Sequence, residues 1–328
     1  MKRLFQISFD TLLLSVIPII IWNALGFILE KNLVVIFSLT YPIQFLFSTL
    51  YYIFAVGPNI TAEKKRDQNI VYSNIFLGIL VGILVLLLLV FNCNIFLSIM
   101  NVDVSVFKIF TIYSFFNIFY SYVLKLVLEK LYFDKENKKA NSISILFNTI
   151  NLLSIVILAI ITKNQIITSF VTLIIMTLSL FIILFFNIKK FKIHFSISDN
   201  IKNSSIGIVE NISMFIIYFI GHINAYSFGM KYILASTFVG IITDTQWDMI
   251  YAIQTVVHID VSKDNFLFKE HLKNGYKFSF ILILSSIIMS FVLYKLYTPN
   301  ITIFFCSNYF YVIFPNYNNK TTLLTNKI

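Results

Sequence analysis

The sequence has little charge, little glycine or proline, and almost no cysteine. Only 12% of its 328 residues are charged, about half of the roughly 25% in a water-soluble chain. So few ionised groups cannot cover a soluble surface, which excludes the soluble domains that the length would otherwise allow. Nine glycines and five prolines are too few for a collagen-like repeat or a low-complexity linker. Cys93 and Cys306 are the only cysteines, and two distant thiols make neither a zinc site nor a disulfide framework.

What is present is apolar. Hydrophobic residues make up 58% of the chain, and the mean hydropathy is +0.85. A helix needs about 20 mostly apolar residues to cross a bilayer. Such runs lie at 11–29, 33–57, 73–92, 107–127, 141–162, 166–187, 205–228, 231–257 and 275–297, with a weaker tenth at 301–314. The runs are continuous rather than alternating, which excludes barrel strands. The expected fold is all-α, a polytopic transmembrane helix bundle of nine to ten spans. Met1-Lys2-Arg3 gives a basic start like that of a signal peptide. No convincing small-residue cleavage site follows, so the first run is expected to remain as a span.

The net charge of +10 has a membrane explanation rather than a nucleic-acid one. With the N-terminus inside, the inside segments hold Lys2 and Arg3; Lys64, Lys65 and Arg66; Lys130, Lys135, Lys138 and Lys139; Lys189, Lys190, Lys192 and Lys202; and Lys263, Lys269, Lys273 and Lys277. The outside segments hold only Lys31, Lys108, Lys163, Lys231 and Lys295. Basic residues stay in cytoplasmic loops. The expectation is a multi-pass protein of the plasma (inner) membrane with a cytoplasmic N-terminus. Its partners are membrane lipid and a small molecule, not nucleic acid.

Few charges lie inside the runs, and each is costly there. Asp244 and Asp248 are about 40° apart on the eighth run at 100° per residue. Thr237, Gly240, Tyr251, Thr255 and His258 extend that face into a polar stripe. The stripe is either the wall of an aqueous substrate path or a packing seam between helices. Glu210 lies a turn or two inside the seventh run, with Met214, Ile217, Gly221 and Asn224 on its face. It reads either as a functional carboxylate or as an interfacial one paired with a loop lysine such as Lys202. Lys125 lies near the cytoplasmic end of the fourth run and can snorkel. The N-terminal runs carry amides instead of carboxylates: Gln44, Asn117, Asn148 and Asn151. Single amides serve as glue or as ligands. His222 and His258 have no metal-ligand partners at useful spacing.

The sequence shows no phosphate loop, no nucleophile–base constellation and no thiolate cluster. An enzyme and an ATP-driven pump are therefore not expected, and no cofactor is called for. Transport would be driven by a sodium ion or a proton through a membrane carboxylate.

Several features occur together in order. The first run contains Ser15-Val16-Ile17-Pro18 and the second Leu39-Thr40-Tyr41-Pro42-Ile43-Gln44. Ile99-Met100-Asn101-Val102-Asp103 stands before the fourth, and Asn148-Thr149-Ile150-Asn151 lies in the fifth. Thr243-Asp244-Thr245-Gln246-Trp247-Asp248 and Ile259-Asp260-Val261-Ser262-Lys263 follow. Over about residues 5–295 the set resembles the multidrug and toxic compound extrusion (MATE) family. The resemblance implies two six-helix lobes and a cation-coupled antiporter that exports small cationic or amphipathic compounds. It places Glu210 where a seventh-helix carboxylate binds the coupling ion. The first-helix aspartate of other members is missing, because the stretch from Trp22 to Leu29 holds only Asn23 as a polar amide and no carboxylate. Weight moves to Glu210, Asp244 and Asp248, with Tyr251 and Asn224 beside them.

The implied organisation is a six-helix N-terminal lobe over 1–190, a cytoplasmic linker over 191–204, a partial C-terminal lobe over 205–300, and a weak span with a tail over 301–328. A full member has twelve helices, so the chain is expected to be truncated at its C-terminus. On that basis it would insert without transporting unless a second chain supplied helices. Two alternatives accompany the transporter reading. One is a lipid- or polysaccharide-linked flippase of the same superfamily, which favours a basic cavity. The other is a non-transporting membrane remnant.

The charge asymmetry predicts that single cysteines placed at Asn137 and at Lys163 label from opposite sides of the membrane in intact cells. Equal labelling of both by an impermeant reagent added outside would overturn the orientation.

Overall fold

A computed structural model describes residues 2–29, 33–100, 102–188 and 191–228, with the single positions Lys277, Phe280 and Leu284. Among the described residues the regular structure is entirely helical: α1 (Lys2–Ile28), α2 (Val34–Tyr51), α3 (Gly57–Lys65), α4 (Asn69–Phe91), α5 (Cys93–Ile99), α6 (Val104–Phe133), α7 (Asn137–Thr162), α8 (Gln165–Asn187) and α9 (Ile197–Ser227). A π-helical turn, Tyr52–Val56, joins α2 to α3 without a break. Isoleucine-, valine- and leucine-rich runs such as α4 could form strands in water. In hydrocarbon every backbone polar group must be paired within the segment, and the helix does this.

Six of these helices are long and apolar enough to cross a membrane, counting Val35–Lys65 as one. The expected and observed limits agree closely on one side of the slab and differ on the other. At the sparsely charged side α4 ends at Phe91, α7 at Thr162 and α9 at Ser227, within a residue of the apolar runs. At the basic side the helices overshoot. α1 starts at Lys2 rather than 11, α3 ends at Lys65 rather than 57, α6 ends at Phe133 rather than 127, and α9 starts at Ile197 rather than 205. Hydropathy marks the lipid slab, whereas a helix continues while its backbone bonds persist. The start of α9 also lies inside the stretch read as a linker.

The chain divides into two compact units, 1–279 and 280–328; the nine helices all belong to the first. α6 is its axis, touching α2, α4, α5, α7 and α8. α1 packs on α7 and α2, and α2 carries α9 on its other side. Outward faces are apolar, for example Leu84 and Leu88 on α4 and Phe170, Phe181 and Phe185 on α8. Such faces suit lipid rather than water.

Turns are fixed locally. Arg66, Lys135 and Lys163 take left-handed backbone conformations just after α3, α6 and α7. Asn164 then caps α8, its side chain accepting from the N–H groups of Ile166 and Ile167 at 2.9 and 3.2 Å. The extended segment from Phe191 to Ser196 is strapped to the start of α4. The Lys192 N–H donates to Asn69 Oδ1 at 3.0 Å, the Ser73 hydroxyl donates to the Lys192 carbonyl at 3.0 Å, and His194 Nδ1 lies 2.6 Å from Asp67. That contact with His194, with the Asn69 N–H behind it, holds the Asp67 carboxyl below the usual carboxylate range.

α9 sits against α2, the π turn and α3 through a seam of small and polar residues: Asn200, Ser204, Gly207 and Asn211, then His222 and Tyr226. Asn200 donates to Asn74 and Asn203 to Thr61, both at 2.9 Å. Lys65 pairs with Asp199 at 2.5 Å. Close approach needs glycine at two points. A Cβ on Gly57 would strike the Asn200 backbone, and one on Gly207 would strike the ring of the buried Tyr52.

The close contact predicts that Gly207→Ala lowers stability by about 1–3 kcal/mol through overpacking against Tyr52. Gly221→Ala, on the same helix with open space around it, should raise it slightly through helix propensity. Thermal unfolding in detergent micelles compares the two, and equal behaviour would remove the seam from the account.

Candidate functional site

α1, α2 and α6 enclose a cavity. Three stripes build it. On α1 the residues are Leu14, Pro18 and Trp22, at helical spacing. Pro18 has no N–H, so the Leu14 carbonyl loses its helical donor at the cavity wall. On α2 the polar members are Thr40, Gln44, Ser48 and Tyr51; on α6 they are Ser114, Asn117, Ser121 and Lys125. Both sets advance by three or four residues, so each forms one face of its helix. From Ser114 to Lys125 the α6 stripe rises about 16 Å at 1.5 Å per residue. The space open to the centres of water molecules is about 80 Å³, enough for several waters at about 10–15 Å³ each.

Hydrogen bonds fix the walls at both ends. Thr40 donates to the Ile36 carbonyl at 2.8 Å, so its 2.7 Å contact with Ser114 has Ser114 as donor. Asn151 of α7 donates to Asn117 Oδ1 at 2.8 Å and accepts from the Tyr113 hydroxyl at 3.2 Å. Trp22 meets Phe110 and Tyr113 edge-on at 6.0 and 5.9 Å. Toward the basic side, the Tyr51 hydroxyl donates to Glu129 Oε2 at 2.5 Å. Glu129 is only 4% exposed, and a buried carboxylate requires such a donor.

The amides singled out in the sequence separate here. Gln44 and Asn117 line the cavity, and Asn151 supports Asn117 from behind. Asn148 turns away and donates to the Ser144 carbonyl of its own helix at 2.9 Å. Glu210 is half-buried and Asn224 exposed on α9. Neither lines the cavity, and Glu210 lies beside the buried seam of α9 rather than in it. His222 is bonded to the Tyr218 carbonyl at 2.6 Å. Asp244, Asp248 and Tyr251 lie outside the described residues, as does the rest of their stripe. Among the described residues no cluster of metal-ligating side chains occurs.

Sequence reading missed Glu129, which lies beyond the expected end of the fourth span but inside the longer α6. It also missed the α6 stripe. The signal was there: Ser114, Asn117, Ser121 and Lys125 repeat at spacings of 3, 4 and 4, the pattern that marked the eighth run.

No protein-family model matches the chain, and no curated protein matches it. Solved structures do. A crystal structure of MATE in complex with MaD5 aligns over 95% of this chain and 76% of its own, with a TM-score of 0.66 at 13% identity. The chain has the MATE fold. MATE in complex with MaL6 aligns over 88% of this chain and 71% of its own, with a TM-score of 0.63 at 14% identity. MATE in complex with Br-NRF aligns over 88% and 76%, with a TM-score of 0.60 at 15% identity. Within this MATE fold the cavity lies among α1, α2 and α6, and α9, which contains the seventh apolar run, leans on α2.

The Tyr51–Glu129 bond generates a stability prediction. Tyr51→Phe removes this donor from a buried carboxylate and should cost about 1.5–3 kcal/mol, read as a lower unfolding temperature in detergent. Glu129→Gln keeps an acceptor for Tyr51 without the charge and should cost less. The opposite order would show that the hydroxyl does not support the carboxylate.

Proposed function

We propose that the protein is a membrane transporter of the MATE kind, a sodium- or proton-coupled antiporter that exports a small amphipathic compound. The observation that carries this reading is a cavity with facing polar stripes, lined by α1, α2 and α6 inside a MATE fold. Apolar helices retain facing polar stripes when they line a path. Transporters of this general design place substrate near the bilayer midplane and move two halves about it.

In this reading the carboxylates serve the coupling ion and the cavity serves the cargo. Glu210, Asp244 and Asp248 are the proposed coupling residues, with Tyr251 and Asn224 beside them. Gln44 and Asn117 contact the cargo, while Asn148 and Asn151 support the lobe. The protein works in the plasma membrane with its N-terminus in the cytoplasm, as an exporter rather than an enzyme. It needs no cofactor beyond the coupling ion, and a second chain is a candidate partner. A cationic cargo, which the resemblance implies, would suit the acidic residues Glu210, Asp244 and Asp248. The described cavity carries Lys125 and no carboxylate, which favours the second reading, a flippase for a lipid- or polysaccharide-linked compound.

Purified protein in liposomes under an imposed sodium or proton gradient tests the reading. Gradient-dependent movement of ethidium or of a dansylated carboxylate supports the reading against the expectation that the chain alone inserts without transporting, and Asp244→Asn should then abolish it while leaving the protein in the membrane. Movement that ignores the gradient, or the absence of movement of either dye, counts against transport of this kind. Unchanged transport by Asp244→Asn removes that residue from the coupling set.

A further inference from the structure

We propose that the cavity between α1, α2 and α6 binds the anionic group of an amphipathic compound, a carboxylate or a phosphate, with the Lys125 ammonium as its charge partner. The proposal rests on the transporter reading for the cargo's route, but its chemistry comes from the cavity itself.

Lys125 is half-buried and lines the cavity toward its basic-side end. Among the described residues the ion pairs engage Lys65, Lys130, Lys139 and His194, and Lys125 enters none of them. The carboxylate one turn further along α6, Glu129, accepts from Tyr51. No carboxylate lines the cavity among its described residues. A cationic cargo would therefore meet a like charge in a low-dielectric pocket, with no carboxylate among the described lining residues to offset it.

The neutral groups point the same way. Gln44, Ser48 and Ser121 line the cavity with Lys125. No described hydrogen bond uses their side chains, so their N–H and O–H donors face the cavity unspent. A carboxylate or phosphate needs several convergent donors, and charge-assisted bonds from an ammonium are the strong ones. Aromatic wall residues such as Trp22, Phe37 and Phe45 supply the apolar surface for the rest of the molecule. Donors and a cation at one end, with an aromatic wall along the length, describe a pocket for an anionic amphipath.

The test is equilibrium binding to the full chain in phosphatidylcholine nanodiscs with no gradient, so that failure of transport does not bear on it. The probes are 11-(dansylamino)undecanoic acid and its methyl ester. The acid is expected to bind more tightly than the ester. Lys125→Gln should weaken the acid about tenfold, as loss of a charged hydrogen bond does, and leave the ester unchanged. Lys125→Arg should restore binding, and Ser121→Ala should weaken the acid by a smaller factor. Size-exclusion elution like that of the wild type establishes that each variant is folded. Equal affinity for acid and ester, or acid binding unmoved in Lys125→Gln, overturns the proposal even if transport is demonstrated. Competition identifies the source of the anion. Displacement by nanodiscs containing phosphatidylglycerol assigns a lipid headgroup, and displacement by octyl phosphate alone assigns a soluble anion. Displacement by neither overturns the proposal.

Discussion

A polar atom in a hydrocarbon slab must find its partner within the protein, and much of this fold derives from that constraint. The backbone meets it by forming helices. Side chains meet it by folding back on their own helix, by reaching a neighbour, or, as Asn74 and Thr40 do, by both. Asn74, Asn148 and Asn211 bond carbonyls four residues earlier, at 2.7, 2.9 and 2.7 Å. Thr40, Asn117, Asn151 and Asn200 reach across. Those crossing bonds fix which faces of α2, α4, α6, α7 and α9 meet. Apolar packing alone specifies faces poorly in a membrane, because lipid is as apolar as leucine.

α2 has the most demanding position. One face meets α6 across the cavity, another carries α9, and a third touches α1. Its sequence divides accordingly. Thr40, Gln44 and Ser48 line the cavity, and Tyr41 and Phe45, which also border it, receive the ring of Tyr218 from α9 at 5.2 and 5.1 Å. The basic side holds the same helices again by a different chemistry. There the helices extend past the apolar runs into a region of ion pairs and amide contacts, with Lys65–Asp199 and Lys64–Asn203 tying α3 to α9. Surface pairs of this kind contribute little individually. Their use here is to fix the register of helices already packed.

The sequence carried the helices because they are written in runs. An apolar stretch of span length has few alternatives, so α4, α7 and α9 end on their sparsely charged side within a residue of the expected limit. The basic-side ends were illegible for the same reason: beyond the slab a helix such as α6 continues through Glu129 and Lys130, where hydropathy no longer reports it. Among the amides, periodicity identified the faces but not the partners. Asn148 and Asn151 are one turn apart on α7, yet one bonds its own helix and the other reaches Asn117. Only the position of α6 separates them. The cavity was legible in principle, since the α6 stripe has the spacing of the eighth-run stripe. It carries one charge rather than two and no carboxylate, so it stands out less from the apolar run around it.

The π turn brings the cavity and the α9 seam together along one helix. Tyr51, the last residue of α2, lines the cavity and bonds Glu129 of α6. Tyr52, the first residue of the turn, lies under Gly207 of α9. Neighbouring side chains on an α-helix point about 100° apart, so consecutive tyrosines can face two different partners. The extra residue in a π turn shifts the register of α3 relative to α2, and such turns are frequent at functional sites. Gly57 then closes the turn against the Asn200 backbone. A change in the cavity that moved Tyr51 would thus act within one residue of the contact that seats α9. No longer chain of contacts is needed to link the place where cargo is proposed to bind with the helix proposed to carry the coupling carboxylate.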